Sequence, residues 1–266
     1  MNLLQRGDCE QMFVYCNKGH QMLLQESDPR PALIGGPAAG SGLVLTCEHA
    51  GTAIPRSLGD LGVAGPDLQD HIGWDPGALD LTLALSARLA APFAAQPYSR
   101  LVIDCNRPRD AADLAAERAD DRPIPGNAGL SASDLDARWD EIHQPFHREL
   151  AALLPGKTAL ASIHSFTPRR RVDSELRPLQ IGVLARDDNA LFRHIMRRLP
   201  TLHDGPVAAN APYEIEDASD YTIPVHAEAR GLPHVLIEVR NDLIGFPAGV
   251  CRIADTLAII LKEFSA

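Results

Sequence analysis

Several signatures are missing from this chain, and each absence closes off a class of function. No apolar run approaches the ~18–20 residues needed to cross a bilayer. The N-terminus also lacks a continuous apolar h-region, so secretion is not signalled and the expected location is the cytoplasm. The cysteines Cys9, Cys16, Cys47, Cys105 and Cys251 are odd in number and include no C-x-x-C pair, which argues against a zinc knuckle and a disulfide framework. No G-x-G-x-x-G follows the first strand, which disfavours a dinucleotide fold. Ser165 sits in no G-x-S-x-G elbow, and no H-E-x-x-H is present. Positive charge is short as well: 25 Lys and Arg against 35 Asp and Glu leave a net charge of −10. Neither nucleic acid nor an anionic membrane is therefore expected as a partner. A small-molecule carboxylate substrate stays open, because local arginines set the field inside a cleft. The oligomeric state is not legible at this level.

What the chain does have is length and apolar content enough for one soluble domain: 266 residues, 45% hydrophobic and 23% charged. Residues 1–40 show no clear periodicity, and the glycine-rich segment 35–42 reads as the end of a flexible lead-in. Residues 41–266 then read as a single domain. Short apolar runs predict core strands at Leu43–Cys47, Leu101–Cys105, Thr158–Ile163, Gln180–Ala185 and His234–Val239, with an edge strand at Val207. Helices are predicted over Gly77–Ala90, with Leu79, Leu83, Leu85 and Leu89 as its stripe, and from Ser131 or Ser133 to about Leu154 with a kink at Pro145. Further helices run from a cap at Asp187 or Asp188 to Leu199, over Tyr221–Arg230 closed by Gly231, and over Ala248–Phe264. The segment from Pro108 to Leu130 reads as a long surface loop that walls a site. Strands alternating with helices along the whole chain imply an α/β fold, a three-layer sandwich with a mainly parallel mixed central sheet.

Four of the apolar runs end in chemically capable residues, and in open α/β sheets ligands bind beyond the carboxyl ends of the strands. His49 and His164 close two of them, with a carboxylate available from Glu48 or Asp75. Two histidines and a carboxylate, with one position left for water, is the donor set of a catalytic zinc site. Asp75 is the preferred third ligand, because Glu48 adjoins His49 on an extended strand whose successive side chains point to opposite faces. Glu238 lies inside the apolar Leu236–Val239 run, where it is either a general base with a raised pKa or half of a buried ion pair with an arginine. Arg107 offers a planar fork for a substrate carboxylate, Asn106 a directed hydrogen bond, and Arg100 a third contact, with Asp104 orienting a ligand or an arginine. The Arg169–Arg171 run reads as a solvated face, and His143 and His147, one helical turn apart, as surface residues.

The segments 47–51 (Cys-Glu-His-Ala-Gly), Asp75 within Gly-Trp-Asp-Pro-Gly, 99–108 (Ser-Arg-Leu-Val-Ile-Asp-Cys-Asn-Arg-Pro), 163–166 (Ile-His-Ser-Phe) and 226–243 together resemble the N-formylglutamate amidohydrolase family over about residues 41–262. That family is similar in fold to zinc carboxypeptidases and aspartoacylases. The resemblance implies Zn2+, one per chain, with His164 as a ligand; His49 and Asp75 complete the expected ligand set. It also implies Asn106 and Arg107 as carboxylate binders and Glu238 as base. The implied activity is hydrolysis of N-formyl-L-glutamate to formate and L-glutamate, a step of amino-acid catabolism. The alternatives are a metal-dependent amidase or deacylase of another small carboxylate and a ligand-binding relative without turnover. The chain departs from the zinc carboxypeptidases, which join the first His to a Glu as H-x-x-E, in having Thr52 three residues after His49.

Overall fold

The structure, a computed structural model, describes residues 22–37 and 40–265. In chain order the strands are β1 (Leu33–Gly35), β2 (Leu43–Cys47), β3 (Phe93–Ala95), β4 (Arg118–Ala119), β5 (Arg122–Pro123), β6 (Ala159–Phe166), β7 (Ile181–Leu184), β8 (Val207–Ala209) and β9 (His234–Arg240). The helices are α1 (Gly65–Leu68), α2 (Ala78–Leu89), α3 (Ala132–Arg138), α4 (Gln144–Leu153), α5 (Ala190–Arg198) and α6 (Pro247–Ser265). Seven strands form one sheet in the order β1-β3-β2-β6-β9-β7-β8, and β4 and β5 form a separate hairpin. The β2–β3, β2–β6, β6–β9 and β7–β8 pairs are parallel, while β1–β3 and β7–β9 are antiparallel. The sheet is thus mixed and mainly parallel, as expected. Residues 1–21, 38 and 39 of the expected lead-in, with Cys9 and Cys16, lie outside the described residues. The described part of that segment supplies the edge strand β1.

Side-chain alternation divides the strands between two cores. Leu43, Leu45 and Cys47 of β2, Ala159, Ala161 and Ile163 of β6, and Val235, Ile237 and Val239 of β9 pack with α2, α5 and α6. The intervening Val44, Leu160 and Leu236 pack with Ile142, Phe146 and Leu150. These strands are buried on both faces, which is why their sequences run apolar without alternating.

Helix α2 buries Ala78, Leu81, Leu85 and Leu89, whereas Leu83 is exposed, so Leu85 and Leu89 of the predicted stripe face the core and Leu83 does not. Ser131 caps α3 through a capping box with Asp134. The expected kink at Pro145 is a π-helical turn over Trp139–His143, in which the Gln144 N–H donates to the carbonyl five residues back. Such a turn admits the proline, which has no N–H for the regular ladder. Asn189, rather than Asp187 or Asp188, caps α5.

One predicted strand is absent. Residues 101–105 form turns and irregular backbone, and the strand beside β2 is instead β3. The cause is a competing set of partners for the backbone. Asn127 Nδ2 donates to the Leu101 carbonyl at 2.8 Å, and Arg138 donates to the Val102 carbonyl at 2.8 Å. Asp104 N–H donates to the Leu114 carbonyl at 2.8 Å. Arg138 is 1% exposed and meets neutral acceptors, the second being Asn127 Oδ1 at 2.7 Å. Burial lowers its pKa to about 10, with the Asp134 charge opposing. Replacing it with methionine, Arg138→Met, orphans two buried acceptors and is expected to lower unfolding stability by about 2–5 kcal/mol. Urea denaturation checks this, and an unchanged midpoint would mean that water replaces the guanidinium without loss.

Candidate active site

The core face that carries Val44, Leu160 and Leu236 becomes polar towards the carboxyl ends of the strands. Along β2 and just beyond, the same face presents Val44, Thr46 and Glu48; along β6 it presents Leu160, Ser162 and His164; along β9 it presents Leu236 and Glu238. Register places Thr46 beside Ser162 and His164 beside Glu238. Glu48 is fully buried and accepts from Thr46 Oγ1 at 3.0 Å and from Ser162 Oγ at 2.7 Å. Its Oε2 lies 2.9 Å from His164 Nε2, an ion-pair contact whose angle falls short of a regular hydrogen bond. His164 therefore lies within β6, two residues before the strand's end, rather than beyond it.

His49 follows β2, and its carbonyl accepts the Asp75 N–H at 2.9 Å, which ties the loop before α2 to the strand end. Asp75 Oδ2 is 2.8 Å from His164 Nδ1 and 3.4 Å from His49 Nδ1. His49, Asp75 and His164 each offer a donor atom within 4.8 Å of the others, the one such buried grouping among the described residues. The far nitrogens of the two rings are backed by carboxylates: His49 Nε2 meets Asp104 Oδ1 at 2.7 Å, and His164 Nε2 meets Glu48. A carboxylate behind each imidazole fixes its tautomer and raises its basicity, the usual outer support of a metal-binding histidine.

The electrostatics suit a cation. Burial acts to raise the Glu48 pKa, but contacts with His164 and Ser162 outweigh it and lower it to about 2. Asp75 is held well below the carboxylate range by His49 and His164 against the same desolvation. Burial alone would lower the His164 pKa, yet Asp75 and Glu48 raise it well above its ordinary value. Its proton thus stands where a metal would bind, and a metal entering there must displace it. The donor set of two imidazoles and one carboxylate fits zinc.

Glu238 is 7% exposed, and its Oε2 has no hydrogen-bond partner. Burial raises its pKa to about 7, with His164 opposing and Asp75 adding to the shift.

His49, Asp75, His164, Glu238, Arg100, Asn106 and Arg107 line one cavity of about 870 Å3. Arg100 spends its fork on the acids around His49, donating to Asp104 Oδ2 at 2.6 and 3.1 Å and lying 3.6 Å from Asp75. Asn106 donates to Asp220 at 2.9 Å and accepts the backbone N–H groups of Tyr221 and Thr222. Arg107 bonds Asp113 at 2.9 Å and the Ser219 carbonyl. The loop from Pro108 to Leu130 contributes Asp113, Asp120 and Asp121 to the wall. Two things were not read from the sequence. One is the hydroxyl support of Thr46 and Ser162, whose only signal is a spacing of two residues before Glu48 and His164. The other is the burial of His143 and His147, expected at the surface but 0% and 6% exposed. A helix that packs on a sheet hides its inner turn whether that turn is polar or not.

The model of the family described as N-formylglutamate amidohydrolase matches residues 41–245. The chain belongs to that family. It is also similar to a gene product of Agrobacterium tumefaciens of known structure, at 32% identity over 91% of this chain and 97% of the other, with a TM-score of 0.85. The N-formylglutamate amidohydrolase of Ralstonia eutropha JMP134 shares the fold at 20% identity, over 89% of this chain and 98% of that one, with a TM-score of 0.67. Comparison with curated proteins gives no match. No helix among the described residues is long and apolar enough to cross a membrane. Family membership supports hydrolase activity.

The state of Glu238 gives a measurable consequence in metal-free protein. Its folded pKa of about 7 exceeds the unfolded value of 4.5, so the protonated form is favoured by folding. The resulting stability is complete below pH 4.5 and is lost as pH rises through 7. Metal-free Glu238→Gln is therefore expected to be about 3 kcal/mol more stable than the parent at pH 8 and equal to it near pH 4. Denaturation at the two pH values checks this; a pH-independent difference would show that Glu238 does not titrate in the fold.

Proposed function

We propose that the chain is a zinc-dependent amidohydrolase, carried by residues 41–266 as one domain, that cleaves the amide of a small N-acyl amino acid. N-formyl-L-glutamate, giving formate and L-glutamate, is the proposed substrate. The observation that carries this reading is the His49–Asp75–His164 donor group with an unpartnered, proton-competent Glu238 in register beside His164. The Ralstonia eutropha protein's designation and the family description support the choice of substrate.

His49, Asp75 and His164 would hold the metal. When bound, it supplies Lewis-acid chemistry, polarising the acyl carbonyl and acidifying water. Glu238 takes the proton of the attacking water and delivers it to the leaving amine nitrogen, a task suited to a pKa near the working pH. Arg107 and Asn106 hold the substrate carboxylate and so convert binding into orientation. Arg100 neutralises Asp104 and Asp75 and keeps His49 in place, while its outer edge faces the cavity. A larger N-acyl amino acid is the second reading, favoured by a cavity of about 870 Å3, well inside the range of about 300–1,000 Å3 that holds drug-sized ligands.

Purified protein is expected to bind about one zinc per chain, and His164→Ala to lose both metal and turnover. Asp75→Asn should weaken zinc binding by at least ~10-fold, and Glu48→Gln, which removes the charge behind His164, by ~10–100-fold. Titration with a competing chelator reads both, and full zinc occupancy in a His49→Ala, His164→Ala double variant would sink the assignment. Glu238→Gln should keep the zinc while turnover of N-formyl-L-glutamate falls by ~10²–10⁴-fold. Loss of zinc in that variant would make Glu238 a ligand instead of a base.

A further inference from the structure

Of the four buried histidines outside the chemistry described above, three cluster together: His143, His147 and His226, the last 3% exposed. They arise from the two π-helical turns, Trp139–His143 and Ile223–Ala227, or from the residues just after the first. His147 Nε2 lies 2.7 Å from the Cys105 carbonyl, and His143 Nε2 lies 3.0 Å from the Arg107 carbonyl. His147 Nδ1 meets His226 Nε2 at 3.0 Å, the two rings stacked at 15°. His143 stacks on Trp139, with ring centroids 3.6 Å apart.

Elementary hydrogen-bond accounting fixes the protons. Carbonyl oxygens only accept, so His143 and His147 must each carry a proton on Nε2. When neutral, His147 has a bare Nδ1, which accepts the Nε2 proton of His226. The remaining nitrogens, Nδ1 of His143 and of His226, are buried without partners. An extra proton on either would be stranded there, and burial duly lowers both pKa values to about 4. The cluster is a neutral, one-way chain that ends on the backbone of residues 105–107.

That backbone needs the help. It runs as turns outside the sheet, so no strand ladder satisfies its carbonyls. The opposite side of the same turn is held by Asn106 Oδ1, which accepts from Tyr221 and Thr222 at the start of the helical segment that carries His226. We propose that His143 and His147, with His226 behind them, are positioning residues that fix the Cys105–Arg107 turn and thereby set where Asn106 and Arg107 meet the substrate carboxylate. This rests on the reading of Arg107 given under the proposed function. A displacement of about 1 Å at such a group is worth ~10²-fold in rate.

The test uses full-length zinc-loaded protein and N-formyl-L-glutamate. His147→Leu is expected to lower kcat/KM by at least ~10-fold, mainly through KM, with zinc content unchanged. His147→Gln, whose amide reaches the same carbonyl, should restore most of it. Arg107→Ala should raise KM as well, and the double variant His147→Leu, Arg107→Ala should be little worse than Arg107→Ala alone. A normal KM in Arg107→Ala would overturn the carboxylate-binding reading. A raised KM there, with a folded His147→Leu at parental KM or with additive losses, would overturn this inference alone. Nitrogen-15 NMR of histidine-labelled parent protein decides independently of folding or turnover in any variant. Neutral Nε2–H tautomers are expected for His143 and His147 at pH 7, and imidazolium or Nδ1–H forms would overturn the proposal.

Discussion

The contact on which the site depends is the buried carboxylate of Asp75, whose Oδ2 stands between His49 and His164 and also accepts the Ser165 N–H at 3.2 Å. It joins two strand ends to a loop that the sheet alone would not hold. The Asp75 N–H donates to the His49 carbonyl, and Ser165 Oγ donates to the Pro76 carbonyl at 2.9 Å. Gly77 follows at φ 83°, a left-handed turn in which a Cβ would lie 2.4 Å from the Ile244 carbonyl oxygen. A larger residue there would push the loop, and Asp75 with it, away from the strand ends.

Charge explains why this arrangement suits a cation. Glu48, Asp75 and Asp104 are all buried against the two histidines, with Arg100 as the nearest guanidinium. Unpaired carboxylates in such surroundings would be expensive to bury. In the metal-free state a proton on His164 offsets part of that charge, and a divalent ion would replace it with a stronger and better-placed positive charge. Glu238, one strand over, lacks a cationic partner of its own, so its proton is retained to a pH where a carboxylate is ordinarily ionised. Two carboxyl groups in one pocket are thereby driven apart, Asp75 below the usual carboxylate range by its histidines and Glu238 up to about 7 by desolvation. That separation is the condition for one to serve as a ligand and the other as a proton carrier.

The Asn106–Arg107 side of the cavity is built by different means. Its residues lie on turns instead of strands, and side chains from distant helices supply the hydrogen bonds that a sheet would otherwise give. Asn127 and Arg138 hold residues 101 and 102, and His147 and His143 hold 105 and 107. The His49–His164 side draws rigidity from parallel strands; the Asn106–Arg107 side draws it from buried side chains whose hydrogen bonds take up the carbonyls of residues 101, 102, 105 and 107.

The sequence by itself determined the α/β class, the strands around Leu45, Ile163 and Ile237, and the gathering of His49, His164 and Glu238 at strand ends. Those strands are buried on both faces, so their apolar runs stand out, and a polar residue at the end of such a run has only the cleft to occupy. Between Asp75 and Glu48 it set only a preference, since adjacent residues on a strand point to opposite faces, and both carboxylates contact His164 in the fold. Tertiary structure alone decided that residues 101–105 are not a strand, because an apolar run bonded by Asn127 and Arg138 looks the same in sequence as one bonded by a neighbouring strand. It alone set Glu48 behind His164 and buried His143 and His147 beneath the Arg107 turn. Each of these rests on a partner more than twenty residues away, and no local pattern encodes which distant group a buried polar atom will meet.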